Sequence, residues 1–117
     1  PDILIKEIHR CLKPGGLAII MVPSWEHNYR IYFEDYTHRT PFMMTSLNDI
    51  LQIHGFCEID VSYFKQLPIL WGNLYWIFNP LSILTRFITP RFLSNHLKWV
   101  RFSKEIMLLS TAKKPAA

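Results

Sequence analysis

Glycine is scarce in this 117-residue sequence: Gly15, Gly16, Gly55 and Gly72 are the only four, and only the first two are adjacent. A loop that wraps a nucleotide or its phosphates with backbone N–H groups needs closely spaced glycines after a strand, so no such cradle is encoded. Cysteine is nearly absent as well. Cys11 and Cys57 allow at most one bridge, and a chain of this length that is 50% hydrophobic can build a core without it. Both read as reduced thiols of a cytoplasmic protein, packed as small apolar residues with no base beside them. Charged residues make up 19% with a net charge of +4, without the dense Lys/Arg runs of a nucleic-acid arm. No basic start followed by an apolar run and small cleavage residues appears. Pro1 in place of Met implies that something upstream is missing or was removed.

Acidic residues are also missing from one stretch. From Pro1 to Phe64 the acids Asp2, Glu7, Glu26, Glu34, Asp35, Asp49, Glu58 and Asp60 outnumber Lys6, Arg10, Lys13, Arg30 and Arg39. From Lys65 to Glu105 the only acid is Glu105, against Lys65, Arg86, Arg91, Lys98, Arg101 and Lys104. The same stretch holds Trp71, Trp76 and Trp99 with Tyr75, Phe78, Phe87, Phe92 and Phe102. Residues 65–105 therefore read as a separate basic and aromatic insertion, flanked by one globular domain formed from 1–64 and 106–117.

Apolar spacing predicts a helix over 2–12, with Leu4, Ile8 and Cys11 on one stripe beside Ile3 and Leu12, Lys6 and Arg10 outward, and Asp2 as N-cap. Lys13-Pro14-Gly15-Gly16 stops it. The unbroken run LAIIMV at 17–22 predicts a strand buried on both faces. Residues 24–41 lack any period and read as a long loop, a length that is usually functional inside a compact domain. A second helix is expected over 46–54, with Leu47, Ile50, Leu51 and His54 on one face, Thr45 or Ser46 as cap and Gly55 as stop. Alternation over 56–64 predicts a strand with one exposed face, as near a sheet edge, and 106–112 a third strand. Within the insertion, Asn79-Pro80 and Thr89-Pro90 each resemble an N-cap followed by proline at the first helical position, which predicts short helices near 69–78, 80–88 and 90–101. Gln66 to Thr85 carries no charge, but Pro68, Gly72, Asn73, Asn79 and Pro80 interrupt it as a membrane span. In the last helix Arg91, Asn95, Lys98 and Arg101 would line one face, and Leu93, Leu97 and Val100 another.

The succession of helix, Leu12-Lys13-Pro14-Gly15-Gly16, buried strand, loop with Asp35-Tyr36-Thr37-His38-Arg39-Thr40-Pro41-Phe42, helix, Gly55-Phe56, strand, long connection and strand resembles the second half of a class I S-adenosylmethionine-dependent methyltransferase, of the type 11-like kind. The resemblance covers residues 3–64 and 106–114. It implies an α/β fold in which the three strands are the fifth, sixth and seventh of a Rossmann-like sheet, the last running antiparallel between the other two. It also implies S-adenosylmethionine as cofactor, bound mainly by an N-terminal half that this chain lacks. The D-x-T-H-x-x-P-F run resembles the branch acting on small molecules and envelope sugars.

His38 lies in the loop beyond the carboxyl end of a strand, where ligands of open α/β sheets bind, and an imidazole can take the proton of an acceptor group near neutral pH. The plainer alternative is a loop histidine bonded to backbone. Asp35 could orient His38, hold a substrate hydroxyl, or cap the turn at Thr37. Arg39 could pair with a substrate phosphate or carboxylate or with Glu34. Trp25, Tyr36, Thr37 and Phe42 complete the candidate substrate site, Phe42 serving equally as core. Glu26, His27, Asp35 and His38 offer possible metal ligands without a compact spacing, and no metal is expected. His9 and His96 read as solvated helix positions.

The insertion has three readings: a lid over the substrate pocket, an anchor on the inner face of a membrane carried by Trp71, Trp76, Arg91, Lys98 and Arg101, or a subunit interface. A nucleic-acid platform ranks below these because Leu and Ile dominate between its aromatics. The function expected from the sequence is methyl transfer to a small-molecule or lipid- or sugar-linked acceptor by a longer chain. The alternative is a non-catalytic membrane- or partner-binding module on the same scaffold.

Overall fold

The computed structural model describes residues 1–90, 93 and 97–116, with Ile69 described by its backbone alone. Helix α1 (Asp2–Cys11) leads into strand β1 (Leu17–Pro23), the short helix α2 (Trp25–Asn28), a 3-10 turn (Tyr32–Glu34) and helix α3 (Met44–Ile53). Strand β2 (Cys57–Phe64), a second 3-10 turn (Pro68–Trp71), α4 (Tyr75–Ile88), α5 (Lys98–Lys104) and β3 (Met107–Lys113) follow. The strands form one sheet in the order β1-β3-β2. β3 is antiparallel to both neighbours, pairing Met107 with Pro23 on one side and with Phe64 on the other. The carboxyl ends of β1 and β2 and the start of β3 thus share one end of the sheet.

Helices α1 and α3 cover one face. Ile5, Leu47, Leu51 and Phe56 meet Ala18, Leu108 and Ala112 there, with Ile8, Leu12, Ile20, Val22, Ile59 and Val61 packed around them. The buried stripe of α1 is Ile5, Ile8 and Leu12, whereas Leu4 and Ile3 are 64% and 82% exposed and Cys11 is exposed. Both this stripe and the expected Leu4–Ile8–Cys11 stripe satisfy helical spacing, and only the packing against α3 and the sheet selects between them. Cys57 is half-buried, its thiol donating to the Lys113 carbonyl at 3.4 Å. Asp2 is the first helical residue rather than the cap. Its carboxylate accepts from His54 Nε2 at 3.0 Å, and that bond holds it below the usual carboxylate range. His9 is not solvated: its ring meets Phe56 edge-on at 5.0 Å and its Nε2 is buried, with no hydrogen-bond partner among the described residues.

β1 is an edge strand, not a strand buried on both sides. Ala18, Ile20 and Val22 face the helices, while Leu17, Ile19 and Met21 are 50%, 67% and 45% exposed on the opposite face. β2 is the other edge, with Glu58, Asp60 and Ser62 exposed as its alternation requires. A register shift between Cys57 and Asp60 places Glu58 at φ 46°, the signature of a bulge. Helix α3 begins two residues earlier than expected. Ser46 acts from inside the first turn, its hydroxyl accepting from the Met43 N–H at 2.9 Å. At the other end Gly55, with φ 87°, closes a Schellman turn: Gly55 N–H donates to Gln52 and Phe56 N–H to Leu51.

In the insertion, α4 runs through Pro80 as one helix of 14 residues, so Asn79-Pro80 is not a helix start. The Asn79 side chain accepts instead from Lys65 Nζ at 2.7 Å. Thr89 closes α4, its hydroxyl donating to the Thr85 carbonyl at 2.5 Å. Helix α5 packs on α4 through a buried Ser82–Ser103 hydrogen bond of 2.9 Å and a bond from Trp99 Nε1 to Thr85 Oγ1 of 3.0 Å. Much of the helix expected over 90–101, with Arg91, Asn95 and His96, lies outside the described residues. No helix among the described residues is long and apolar enough to cross a membrane.

Candidate functional site

The segment after β1 is more ordered than a long loop would be, because buried polar groups tie it down. Ser24 N–H donates to the Ile106 carbonyl at 3.1 Å and Trp25 N–H to the Phe42 carbonyl at 2.9 Å. Asn28, 4% exposed, donates from Nδ2 to the carbonyls of both Ser24 (2.8 Å) and Ile106 (2.7 Å), joining the β1 exit to the β3 entry. Both carbonyls also accept a backbone N–H, from Asn28 and Ser24 respectively, so the side chain adds a second bond to each, and losing two such bonds costs about 1–3 kcal/mol. Asn28→Ala is expected to lower unfolding stability by about that much in urea titration, with Asn28→Asp, which adds a buried charge, at least as damaging.

Tyr32 is the pivot of the loop. Its side chain is 3% exposed, its hydroxyl donates to the Thr40 carbonyl at 2.7 Å, and burial pushes the phenol above its usual range. Its own backbone carbonyl receives His38 Nδ1 at 2.9 Å, with the two rings 4.9 Å apart. A carbonyl can only accept, so Nδ1 carries a proton, and in the neutral ring the lone pair is on Nε2. The nearest carboxylate oxygen, Asp35 Oδ2, is 3.9 Å from Nε2, beyond hydrogen-bond length. Asp35 instead closes a turn: its Oδ1 accepts from the Thr37 N–H (2.9 Å) and hydroxyl (2.6 Å), and these bonds hold the carboxyl below its usual range. The group that orients His38 is therefore the Tyr32 carbonyl. No sequence period marks Tyr32, and the contact is legible only in three dimensions.

His38 stands between two clefts at the carboxyl end of β1. One, of about 250 Å³, is lined by Pro23, Tyr32, Asp35, Arg101, Glu105 and Met107 among others. The other, of about 280 Å³, is lined by Val22, Thr37, Arg39, Thr40 and Phe42. Thr37, Arg39 and Phe42 thus gather at one cleft with His38, and Phe42 also packs against the core. Tyr36 is 87% exposed and Trp25 sits on α2 with its ring 6.0 Å from Tyr29; the described lining of neither cleft includes them. Arg101, expected on an anchor face, lines the first cleft and pairs with Glu105 at 3.1 Å. Trp71 donates to the Lys65 carbonyl at 2.7 Å and stacks on Phe64.

On the far side of α2, Glu26, His27, Arg30, Arg86 and Lys104 line a larger hollow of about 460 Å³. Burial, followed by the nearby Arg86 cation, lowers the His27 imidazole, whose Nδ1 is bonded to Ser24 Oγ at 2.8 Å. Glu26 accepts a hydrogen bond from the Tyr63 hydroxyl.

No protein-family model matches this sequence, and no curated protein matches it either. Among solved structures, the phosphoethanolamine N-methyltransferase 2 of Haemonchus contortus is similar over 97% of this chain. The TM-score is 0.57 for its complex with phosphomonomethylethanolamine and S-adenosylhomocysteine, and 0.56 for its complex with S-adenosyl-L-methionine, both at 18% identity. The fold of this chain is shared with part of these methyltransferase structures. The chain spans about 30% of the length of that neighbour, and the methyltransferase fold is present here as its antiparallel three-stranded portion with α1 and α3 on one face.

Proposed function

We propose that this chain is the C-terminal part of an S-adenosylmethionine-dependent methyltransferase, supplying the acceptor side of a site completed by an N-terminal half. The observation that carries the reading is His38, fixed between two clefts at the carboxyl end of β1 with Nδ1 taken by the Tyr32 carbonyl, which leaves Nε2 for an acceptor. An amine or hydroxyl acceptor loses a proton when it is methylated, and a neutral imidazole nitrogen can take it. Arg39, in the second cleft, suits a phosphate or carboxylate on the acceptor. A small amine or hydroxyl compound bearing such a group, of the kind the nematode enzyme holds, is the acceptor class these residues fit.

The cofactor does not fit this chain alone. Gly15 and Gly16 belong to the turn before β1, Gly55 ends α3 and Gly72 faces open space, so no glycine forms a cradle between a strand and a helix. The open edge of β1 and its exposed row Leu17, Ile19 and Met21 offer the place where further strands and helices would complete the sheet.

Calorimetric titration of S-adenosylhomocysteine into the 117-residue chain is expected to show no saturable heat at micromolar concentration. The natural polypeptide carrying this chain behind a glycine-rich half is expected to bind it. That polypeptide should also transfer a labelled methyl group to one of a panel of small amines and alcohols that includes phosphoethanolamine. Cofactor binding with no transfer to any acceptor would reject the enzymatic reading, and tight binding by the chain alone would misplace the cofactor.

A further inference from the structure

Helix α4 is inside out. The side chains it turns toward the protein are mostly polar: Asn79 bonds Lys65, Ser82 is fully buried against Ser103, and Thr85 receives Trp99. The side chains it turns outward are large and apolar: Trp76 (84% exposed), Ile77 (66%), Leu84 (54%), Phe87 (77%) and Ile88 (68%). A helix on a water-soluble surface has the opposite arrangement, and an apolar ridge of this extent marks an interaction face. Among the described residues nothing buries it: α5 meets α4 on the opposite side, at Ser82 and Thr85.

We propose that the outer face of α4 lies in the interfacial plane of an anionic membrane. Charge selects this occupant over a second protein surface. From Lys65 to Lys104 the sequence has six cations and no acid; Glu105 pairs with Arg101, and the remaining excess of positive charge over the segment that carries the ridge favours anionic headgroups. A 14-residue helix is too short to span a bilayer and is of a kind that lies flat, with its apolar face inserted to the acyl boundary. Tyr75 and Trp76, at the helix start, are amphipathic aromatics of the type that favours the headgroup level. The anchoring side chains are accordingly Trp76, Ile77, Leu84, Phe87 and Ile88. Trp71 and Arg101 have partners elsewhere, and Arg91 lies outside the described residues. The inference stands independently of the methyl-transfer reading.

Flotation on a density gradient tests it, because vesicle-bound protein rises whereas aggregated protein sinks. The protein should float with vesicles of phosphatidylcholine containing phosphatidylserine at low ionic strength, float much less with phosphatidylcholine alone, and be partly released by salt. Trp76→Ser and Phe87→Ser, at exposed positions that should leave folding intact by circular dichroism, are each expected to weaken partitioning about tenfold or more. Three outcomes would overturn the proposal: no flotation with anionic vesicles, flotation unchanged in both variants, or a dimer that the two substitutions dissociate while no vesicle binding is seen. The last would assign the ridge to a second copy of the chain.

Discussion

On the proposed methyl-transfer reading, replacing His38 with alanine is expected to lower turnover of the longer polypeptide by about 100-fold while leaving S-adenosylhomocysteine affinity unchanged. A positioned general base contributes roughly 10²–10⁴-fold, and the lower end applies where water can reach a half-exposed imidazole. The neutral His38 ring has a fixed tautomer because Nδ1 donates to the Tyr32 carbonyl, which puts its lone pair on Nε2. Asp35→Asn is a contrasting control. Asparagine retains an oxygen that can accept from Thr37, so the turn survives and turnover should fall by less than about tenfold. Single-turnover measurement of methyl transfer, with cofactor binding determined separately, distinguishes the two outcomes. Equal rates for wild type and His38→Ala would leave His38 as a bracket holding the loop to Tyr32.

The second large effect is on stability. Leu108, the second residue of the middle strand, is 0% exposed and belongs to the cluster that includes Leu47 and Leu51. Leu108→Ala is expected to cost about 3 kcal/mol, a large part of the total for a domain this small. The apolar edge-strand residue Ile19 gives the opposite result: at 67% exposure, Ile19→Thr should change the stability of the isolated chain by no more than about 0.5 kcal/mol. In the longer polypeptide the same substitution should cost clearly more if the remainder of the sheet covers that face. Equilibrium urea unfolding of the two variants in both contexts measures all four values. An Ile19→Thr cost that is the same in the longer polypeptide would mean that β1's outer face stays in solvent.

Much of the framework is legible in local chemistry. Proline and the glycine pair at 14–16 stop α1, Gly55 with its left-handed φ ends α3, and period-two alternation exposes Glu58, Asp60 and Ser62 on β2. Each of these depends on backbone geometry or on contrast between neighbouring residues, so sequence alone carries it. The insertion is less legible. Asn79-Pro80 has the chemistry of a helix start, yet packing of Asn79, Ser82 and Thr85 toward Lys65 and α5 carries α4 straight through Pro80.

Sequence by itself determined the α/β class, the three strands and the two helices flanking β1, because periodicity and turn residues act over a few positions. Tertiary structure alone decided which side of each apolar element meets the core. α1 buries Ile5 instead of Leu4, β1 leaves Ile19 in solvent, and α4 faces its apolar residues outward. It also decided that Tyr32, six residues from His38, sets the tautomer, and that Arg101 and Glu105 reach the same cleft from the far side of the chain. Those outcomes depend on contacts between residues distant in sequence, where several faces satisfy the same local pattern and only mutual burial and hydrogen-bond satisfaction choose among them.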